Sequence, residues 1–482
     1  MKKRGYWSTR FGFYLAAVGS ACGLGNLWRF PYVVGENGGG AFVLLYIFLA
    51  LGIGLPLLIG ELMLGKFTRK SLIMAADTLG NQVSQSLNSS GPNKQSFKIK
   101  SRWIAFSAVF LAIVVLAYYA VVSGWVLYFL TQFIVGQLAF LTGGMGPEMG
   151  GNLLRTLMNN GWLQVLLASV HILLCVVVVS KGVHEGLEKW VSYIMPLFGV
   201  LMFYLVFQSM SLPSFSRAAR FLFYPDFSKL TLASMSQALG HLFFTLSIGF
   251  GSMVTFGSYL KEGDHIPTAG FRVVLIDCVL SLMSGLLIFA VVLQNPITMA
   301  SSLGDPTLLF EALPRFLLQM PGSWFFGILF FLCLYVAALG ASIGLLEVVV
   351  SNLQDQLQNK MEASIPWDRS RSSWVMGTVV LFIATIPALS SSVFKHVRVG
   401  GNGVLELLDT AFINFALPFV VMGVSWIVVK GLRHETKENL FVDSNKVESV
   451  VMFSHWKKML TLGAPLVITI SLFLQLIYWL LG

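Results

Sequence analysis

Seven ionisable side chains sit inside long apolar runs: Arg29, Glu36, Glu61, His241, Asp277, Glu347 and Asp409. In hydrocarbon such groups are costly and mark ion or ligand sites. Arg29 and Asp409 read as an opposite-charge pair on one side of the membrane midplane, either closing a vestibule or forming a static salt bridge. Arg4 and Asp355 read as the matching pair on the other side. Two glycine-rich interruptions accompany them, Gly19-Ser20-Ala21-Cys22-Gly23-Leu24-Gly25-Asn26 and Thr245-Leu246-Ser247-Ile248-Gly249-Phe250-Gly251. Unwound backbone is tolerated in a bilayer where it lines a cavity. There its carbonyls can hold a cation and the half-helix N-termini an anion. The competing reading is that these glycines only let helices pack closely.

The elements that position these groups must be membrane-spanning helices. The chain has 482 residues, 56% hydrophobic and 11% charged, whereas a soluble domain is about a quarter charged. This excludes an ordinary soluble enzyme, a disordered chain and a disulfide-stapled scaffold. Hydropathy places eleven spans, at 11–34, 40–66, 103–135, 161–180, 187–208, 235–260, 270–297, 324–354, 373–393, 403–430 and 456–481. Lys and Arg divide unequally between the two sides: 24 on the side of the N-terminus, 7 on the other, and Arg29 within a span. Positive loops stay in the cytoplasm, so the N-terminus is expected inside and the C-terminus outside. The net charge of +10 thus reflects topology, and no nucleic-acid partner is expected. Cys22, Cys175, Cys278 and Cys333 all fall in apolar runs and are expected to be free thiols. The two interruptions lie five spans apart, and such pairs indicate an inverted repeat with its site at the midplane. The expected fold is an all-α membrane protein, an inverted-repeat (5+5) transporter with broken helices 1 and 6 and eleven transmembrane helices. One domain, 1–482, divides into repeats 11–208 and 235–430 and an extra helix, 456–481.

The runs Trp7-Ser8-Thr9-Arg10, Gly23-Leu24-Gly25-Asn26-Leu27-Trp28-Arg29-Phe30-Pro31, Glu36-Asn37-Gly38-Gly39-Gly40-Ala41-Phe42 and Phe243-Phe244-Thr245-Leu246-Ser247-Ile248-Gly249-Phe250-Gly251 resemble the neurotransmitter:sodium symporter family, and the likeness extends along essentially the whole chain. The resemblance implies sodium-driven carriage of small amino acids or amines by alternating access. It implies a substrate carboxylate held by backbone at Ala21, Gly23, Leu24 and Gly25 and by Tyr119. Amine carriers of the family have an aspartate at the position of Gly23, so glycine implies an α-amino acid. The side-chain pocket is matched by Val115, Phe244, Ser247, Phe250, Ala341 and Leu345, with Thr245 alongside. It offers no ionisable group, and an unpaired buried charge is expensive. A neutral, apolar or aromatic substrate follows. Arg29 and Asp409 match an outer gate with Tyr119 and Phe244 as lid. Arg4, Trp7, Tyr259 and Asp355 match an inner gate. Gly186 and Pro196 match a motif linked to unwinding of the fifth span.

The chain departs from the family at its ion sites. Ligands of a first sodium site are matched by Ala21, Asn26, Thr245 and Asp277, where the last is commonly asparagine. The chloride-shell positions would be Tyr46, His241, Thr245, Asp277 and Ser281, with His241 replacing a glutamine. Asp277, coupled to His241, is expected to supply the anion itself, so that chloride is not required; the alternative is that His241 only donates a neutral hydrogen bond. A second sodium site would use carbonyls of Gly19, Cys22 and Ala337 and hydroxyls at positions 340 and 341. Those are Gly340 and Ala341, without side-chain oxygen. Ser342 is turned by roughly 100° of helix. One sodium ion is therefore expected, with the second site weak or lost, which leaves one-ion stoichiometry, proton coupling or exchange open. An amino-acid receptor and an intramembrane enzyme are the rival classes. The gate set argues against the first, and the lack of any nucleophile–base or metal-ligand spacing against the second. The expected location is a bacterial inner membrane, with the lipid bilayer and an amino acid as partners. Oligomeric state is not legible.

Overall fold

The computed structural model describes residues 6–86, 92–141, 153–294, 309–310, 313–314, 317, 323–360, 368–398, 403–442 and 448–481. The described chain is all-helical. Helices α1 (Arg10–Ala21) and α2 (Phe30–Glu36) form one broken passage. Next come α3 (Gly40–Leu49) with α4 (Leu55–Thr68), the short α5 (Leu72–Ser86), and the long α6 (Pro92–Leu141). Then follow α7 (Leu153–Asn159), α8 (Gly161–Ser180), α9 (Lys189–Ser209) and α10 (Phe215–Phe223). Helices α11 (Ser234–Thr245) and α12 (Ser252–Gly257) make the second broken passage. The remainder is α13 (Ile266–Val292), α14 (Ser323–Lys360), α15 (Arg369–Ala388), α16 (Val404–Asp409) leading into α17 (Leu417–Gly431), α18 (His434–Phe441), and α19 (Glu448–Lys458) leading into α20 (Ala464–Leu481).

Among the described residues nine helices are long and apolar enough to span a membrane. The two broken passages bring the tally into line with eleven spans. Burial separates frame from rim. The most apolar window of Trp324–Gln358 is 78% buried, that of Ser449–Ile477 only 22%. Helices α6 and α14 pack along each other and against α8 and α15, and α1 lies on α14, α9 and α13. Large apolar side chains such as Phe48, Trp103, Phe203, Phe382 and Phe473 point outward. A soluble protein rarely exposes so much contiguous apolar surface; here it faces hydrocarbon. All four cysteines are buried free thiols.

Four spans widen to a π turn, at Gly25–Arg29, Ala50–Gly54, Thr410–Ala416 and Met459–Gly463. Each ends two residues before a proline: Pro31, Pro56, Pro418 and Pro465. Proline has no N–H to donate and its ring presses on the carbonyl four residues back. Widening the preceding turn relieves that contact without ending the helix. A fifth π turn, Val183–Glu188, contains Gly186 and has no such proline. Beyond it α9 stays helical through Pro196, so the fifth span is wound in this structure.

The two breaks have local causes. After Ala21 the chain leaves helical geometry at Cys22 (ψ 82°) and resumes at Leu24. In the second break three residues take left-handed backbone, Ser247 (φ 52°), Gly249 (φ 88°) and Gly251 (φ 82°). For a non-glycine this costs roughly 1–2 kcal/mol. Ser247 offsets it by donating its Oγ proton to the Ser20 carbonyl at 2.8 Å. Glu36 corrects one expectation: α2 ends there and its side chain is exposed, so it is a surface acid.

Candidate functional site

The two breaks face each other. Thr245 and Phe244 lie against Gly25, and a Cβ at Gly25 would meet Thr245 Cγ2 at 2.8 Å. At the first break the Leu24 N–H donates to Tyr119 Oη at 2.7 Å. The Tyr119 hydroxyl proton meets no acceptor among the described residues. Gly23 lies between Tyr119 and Ala341: a Cβ there would collide with Tyr119 Oη and stand 2.7 Å from Ala341 Cβ. Only glycine lets Tyr119 and Ala341 approach the first break this closely. Val115 is one turn before Tyr119 on α6, and Leu345 one turn after Ala341 on α14, so each shares its neighbour's face. Both are buried, as is Phe250 in the second break. The Phe244 ring sits 6.2 Å from that of Tyr119.

One turn along, Asp277 of α13 gathers three donors. Its Oδ1 accepts from Asn26 Nδ2 at 2.8 Å, and its Oδ2 accepts from Tyr46 Oη at 2.6 Å and Thr245 Oγ1 at 3.4 Å. Asn26 Nδ2 also reaches Ser281 Oγ at 2.8 Å. Asn26 Oδ1 is buried with no partner, at a cost of about 1–3 kcal/mol if left unmet. The amide meets the carboxylate and the Ser281 hydroxyl through its nitrogen; turned over, its oxygen would join them in a hard-oxygen set of the kind that holds a small cation. Ala21 closes α1 next to it. His241 is not coupled to Asp277 through a hydrogen bond, contrary to expectation. Its ring packs against those of Phe30 (5.5 Å) and Tyr46 (5.3 Å), and neither ring nitrogen has a partner. The Tyr46 hydroxyl stands where the histidine was expected to reach.

The second cation position is different. Gly19 and Gly340 face each other: a Cβ on Gly340 would be 3.3 Å from the Gly19 carbonyl oxygen and 2.9 Å from Met195 Cε. The Met195 Sδ would be 3.1 Å from a Cβ on Gly19. A thioether from α9 therefore fills the gap between α1 and α14. Ser342 is turned away, its Oγ bonded to His171 Nε2 at 2.8 Å. Cys22 and Ala337 are fully buried, but no side-chain oxygen from Gly340 or Ala341 joins their carbonyls. This set does not fit a second hard cation.

Both ends of the site are closed. At one end, Arg29 Nη1 pairs with Asp409 Oδ1 at 3.2 Å, and Arg29 Nη2 donates to Asn414 Oδ1 at 2.9 Å. Tyr118 Oη donates to Asp409 at 3.2 Å, and the guanidinium stacks 5.7 Å from the Phe244 ring. At the other end, Trp7 is 1% exposed. Its backbone N–H donates to the Tyr259 carbonyl at 3.0 Å and its Nε1 to the Phe256 carbonyl at 3.1 Å. Tyr259 Oη donates to Glu347 Oε1 at 2.8 Å, and Glu347 pairs with Arg369. Asp355 accepts from the Ser71 N–H at 2.7 Å. Arg4 lies outside the described residues.

Several contributors escaped the sequence reading. Ser20 ties the two breaks together through Ser247. Glu61 accepts from the Gly249 N–H at 2.7 Å; it stood out as an acid in an apolar run, but its partner did not. Arg369 counts only among the loop charges that set topology, and Met195 draws no reading at all. Glu188 accepts from the backbone N–H groups of Ser8 (2.9 Å) and Thr9 (3.2 Å), capping the start of α1 from the π turn that holds Gly186. Its signal was present, an acid two residues after that glycine.

The sequence profile of the sodium:neurotransmitter symporter family matches residues 4–145 and 151–480. An uncharacterised sodium-dependent transporter of Bacillus subtilis is 31% identical over 472 residues, 98% of this chain and 97% of that protein. The sodium-dependent serotonin transporter of Drosophila melanogaster is 26% identical over 88% of this chain and 70% of its own. Among solved structures, the crystal structure of MhsT in complex with L-phenylalanine matches with a TM-score of 0.83 and 28% identity, covering 98% of this chain and 99% of that one.

Proposed function

The chain belongs to the sodium:neurotransmitter symporter family, and on that premise we propose that it carries a neutral α-amino acid, apolar or aromatic, with one sodium ion per cycle and without chloride. It is a membrane transporter rather than an enzyme. The observation that carries the substrate reading is the Tyr119 hydroxyl, which accepts from the Leu24 N–H of the first break and has no acceptor for its own proton among the described residues. A carboxylate placed there would accept that proton, and the pocket beyond, with Val115, Phe244, Ser247, Phe250, Ala341 and Leu345, holds no charge to pair with a charged side chain. The phenylalanine bound by MhsT supports the same class.

For the ion, the orphaned Asn26 Oδ1 and the Asp277 carboxylate would hold sodium beside the substrate carboxylate, with the Ala21 carbonyl and Thr245. Sodium there supplies charge that makes carboxylate binding favourable in a dry site. Met195 stands where a second ion would need hydroxyls, which supports single-ion coupling. We read 11–208 and 235–430 as the two inverted repeats and 456–481 as the extra helix. The charge bias supports a cytoplasmic N-terminus, an external C-terminus and a bacterial inner membrane. The test is equilibrium binding of labelled neutral amino acids to purified protein in sodium and in potassium gluconate. Binding in sodium alone, with a Hill slope near one, is expected. Equal binding in both salts would overturn the coupling, and binding confined to charged amino acids would overturn the substrate class.

A further inference from the structure

At the end of the molecule that carries the N-terminus, a crevice of about 130 Å³ separates the foot of α1 from that of α13; Arg10, Tyr14, Asp264, His265, Thr268 and Arg272 are among the residues lining it. Asp264 is the one acid in its lining and is already paired: its Oδ1 is 2.8 Å from Arg10 Nε, and its Oδ2 accepts from the Lys261 N–H at 2.9 Å. His265 is spent as well, its Nδ1 on Thr268 Oγ1 (2.7 Å) and its Nε2 on the Phe441 carbonyl (3.0 Å). Arg272 has no carboxylate partner among the described residues. It donates one N–H to Tyr14 Oη at 3.2 Å and stacks 5.3 Å from that ring, which leaves four donors. Arg10, whose side chain is 72% exposed, uses Nε on Asp264 and Nη2 on the Gly263 carbonyl, which leaves three.

The surface one turn deeper is apolar. Leu275 and Ile276 lie three and four residues after Arg272, on its face of α13, and are 48% and 37% exposed. Phe11 and Phe271 flank them, also exposed. An uncompensated guanidinium fork at the mouth of a crevice, with lipid-facing side chains directly below it, suits an amphiphile with an anionic head. A water needs only about 10–15 Å³ of such space, so a phosphodiester group fits. Basic pockets between membrane helices on the positive side recognise anionic head groups, and guanidinium is the best-matched donor for phosphate.

We propose that this crevice binds one anionic phospholipid of the leaflet on the N-terminal side. Its phosphodiester sits on Arg272 and Arg10, and its acyl chains run along Leu275 and Ile276. One head group then bridges α1 to α13 and favours the arrangement in which the inner end is closed. Native mass spectrometry of the full chain in detergent, titrated with phosphatidylglycerol, phosphatidylcholine or inorganic phosphate, tests this. One phosphatidylglycerol is expected to persist, and Arg272→Gln to weaken it about tenfold, the worth of one charge-assisted contact. Arg217→Gln, on the exposed face of α10, should leave it bound, and the thermal midpoint of Arg272→Gln without lipid should match wild type. Retention of phosphatidylglycerol by Arg272→Gln would overturn the proposal. Equal retention of phosphatidylcholine, or displacement by inorganic phosphate, would overturn it too, since either removes the anionic-lipid identity of the ligand.

Discussion

Asp277→Asn tests whether the carboxylate replaces chloride. In the structure its two oxygens accept from Asn26, Tyr46 and Thr245. An amide retains one acceptor oxygen and turns a donor toward Asn26 or Tyr46, which loses a hydrogen bond worth about 1 kcal/mol. It also removes a negative charge from beside the cation. Even at about 5 Å, farther than a direct ligand would stand, and an effective dielectric near 20, that attraction is about 3 kcal/mol, a lower bound. The sum, about 4 kcal/mol, weakens sodium by roughly a thousandfold. Chloride is expected to restore most of the loss, taking the place of the lost charge beside the Tyr46 hydroxyl, with Ser281 one turn on and the His241 ring, its nitrogens unpartnered, packed on Tyr46. The assay is scintillation-proximity binding of a labelled amino acid, titrated with sodium gluconate or sodium chloride at constant ionic strength. Wild type should need the same sodium in both salts. The variant should need at least about a hundredfold more in gluconate and recover in chloride. Unchanged binding of the variant in gluconate would refute the substitute-anion argument, and failure of chloride to rescue would refute the pocket assigned to it.

Three further outcomes are expected. The triple variant Met195→Ala, Gly340→Thr, Ala341→Ser removes the thioether and supplies two hydroxyls, so the Hill slope for sodium should rise from near one toward two in the same binding assay; Gly340→Thr alone should bind no better, since its Cβ meets Met195. Gly23→Ala drives a methyl into Tyr119 and Ala341, an overpacking cost of about 1–3 kcal/mol, and should weaken substrate binding roughly tenfold to a hundredfold with the thermal melt little changed. Glu347→Gln leaves the half-buried Arg369 without its carboxylate, a loss below the about 3–5 kcal/mol of a fully buried pair; alkylation of Cys22, measured with the other three cysteines replaced, should accelerate as the inner end opens.

Much of the architecture was legible because hydrocarbon admits few solutions. The span expected at 161–180 is α8 to the residue, and that expected at 403–430 is α16 through α17, Val404–Gly431. Both breaks fall on the glycine runs that announced them. Helices α5 and α10 were not legible, because neither carries an apolar run long enough to span the membrane. The Arg29–Asp409 pair could be read because both charges stand alone in apolar surroundings. The inner end could not be read as fully. Tyr259 meets Glu347, 88 residues away, and Glu347 meets Arg369 across a helix boundary, a pairing set by how α14 and α15 pack. The same limit explains His241: only the tertiary position of Tyr46 determines which group reaches Asp277.

The π turn at Ala50–Gly54 has a consequence for the reading of α4. A π turn holds about one residue more than the helix it interrupts, and one residue is about 100° of rotation. Everything after Gly54 is therefore phased by that surplus residue, including Glu61, whose carboxylate caps the Gly249 amide. Gly52 is the natural surplus, since a Cβ there would touch nothing within 4 Å. Deleting its codon, with Pro56 changed to alanine, should give a smooth helix of the same hydropathy. Yet its far half would be turned by more than a quarter circle. The surplus residue thus governs whether an acid about two turns further along the helix meets the sixth span's break or faces away from it.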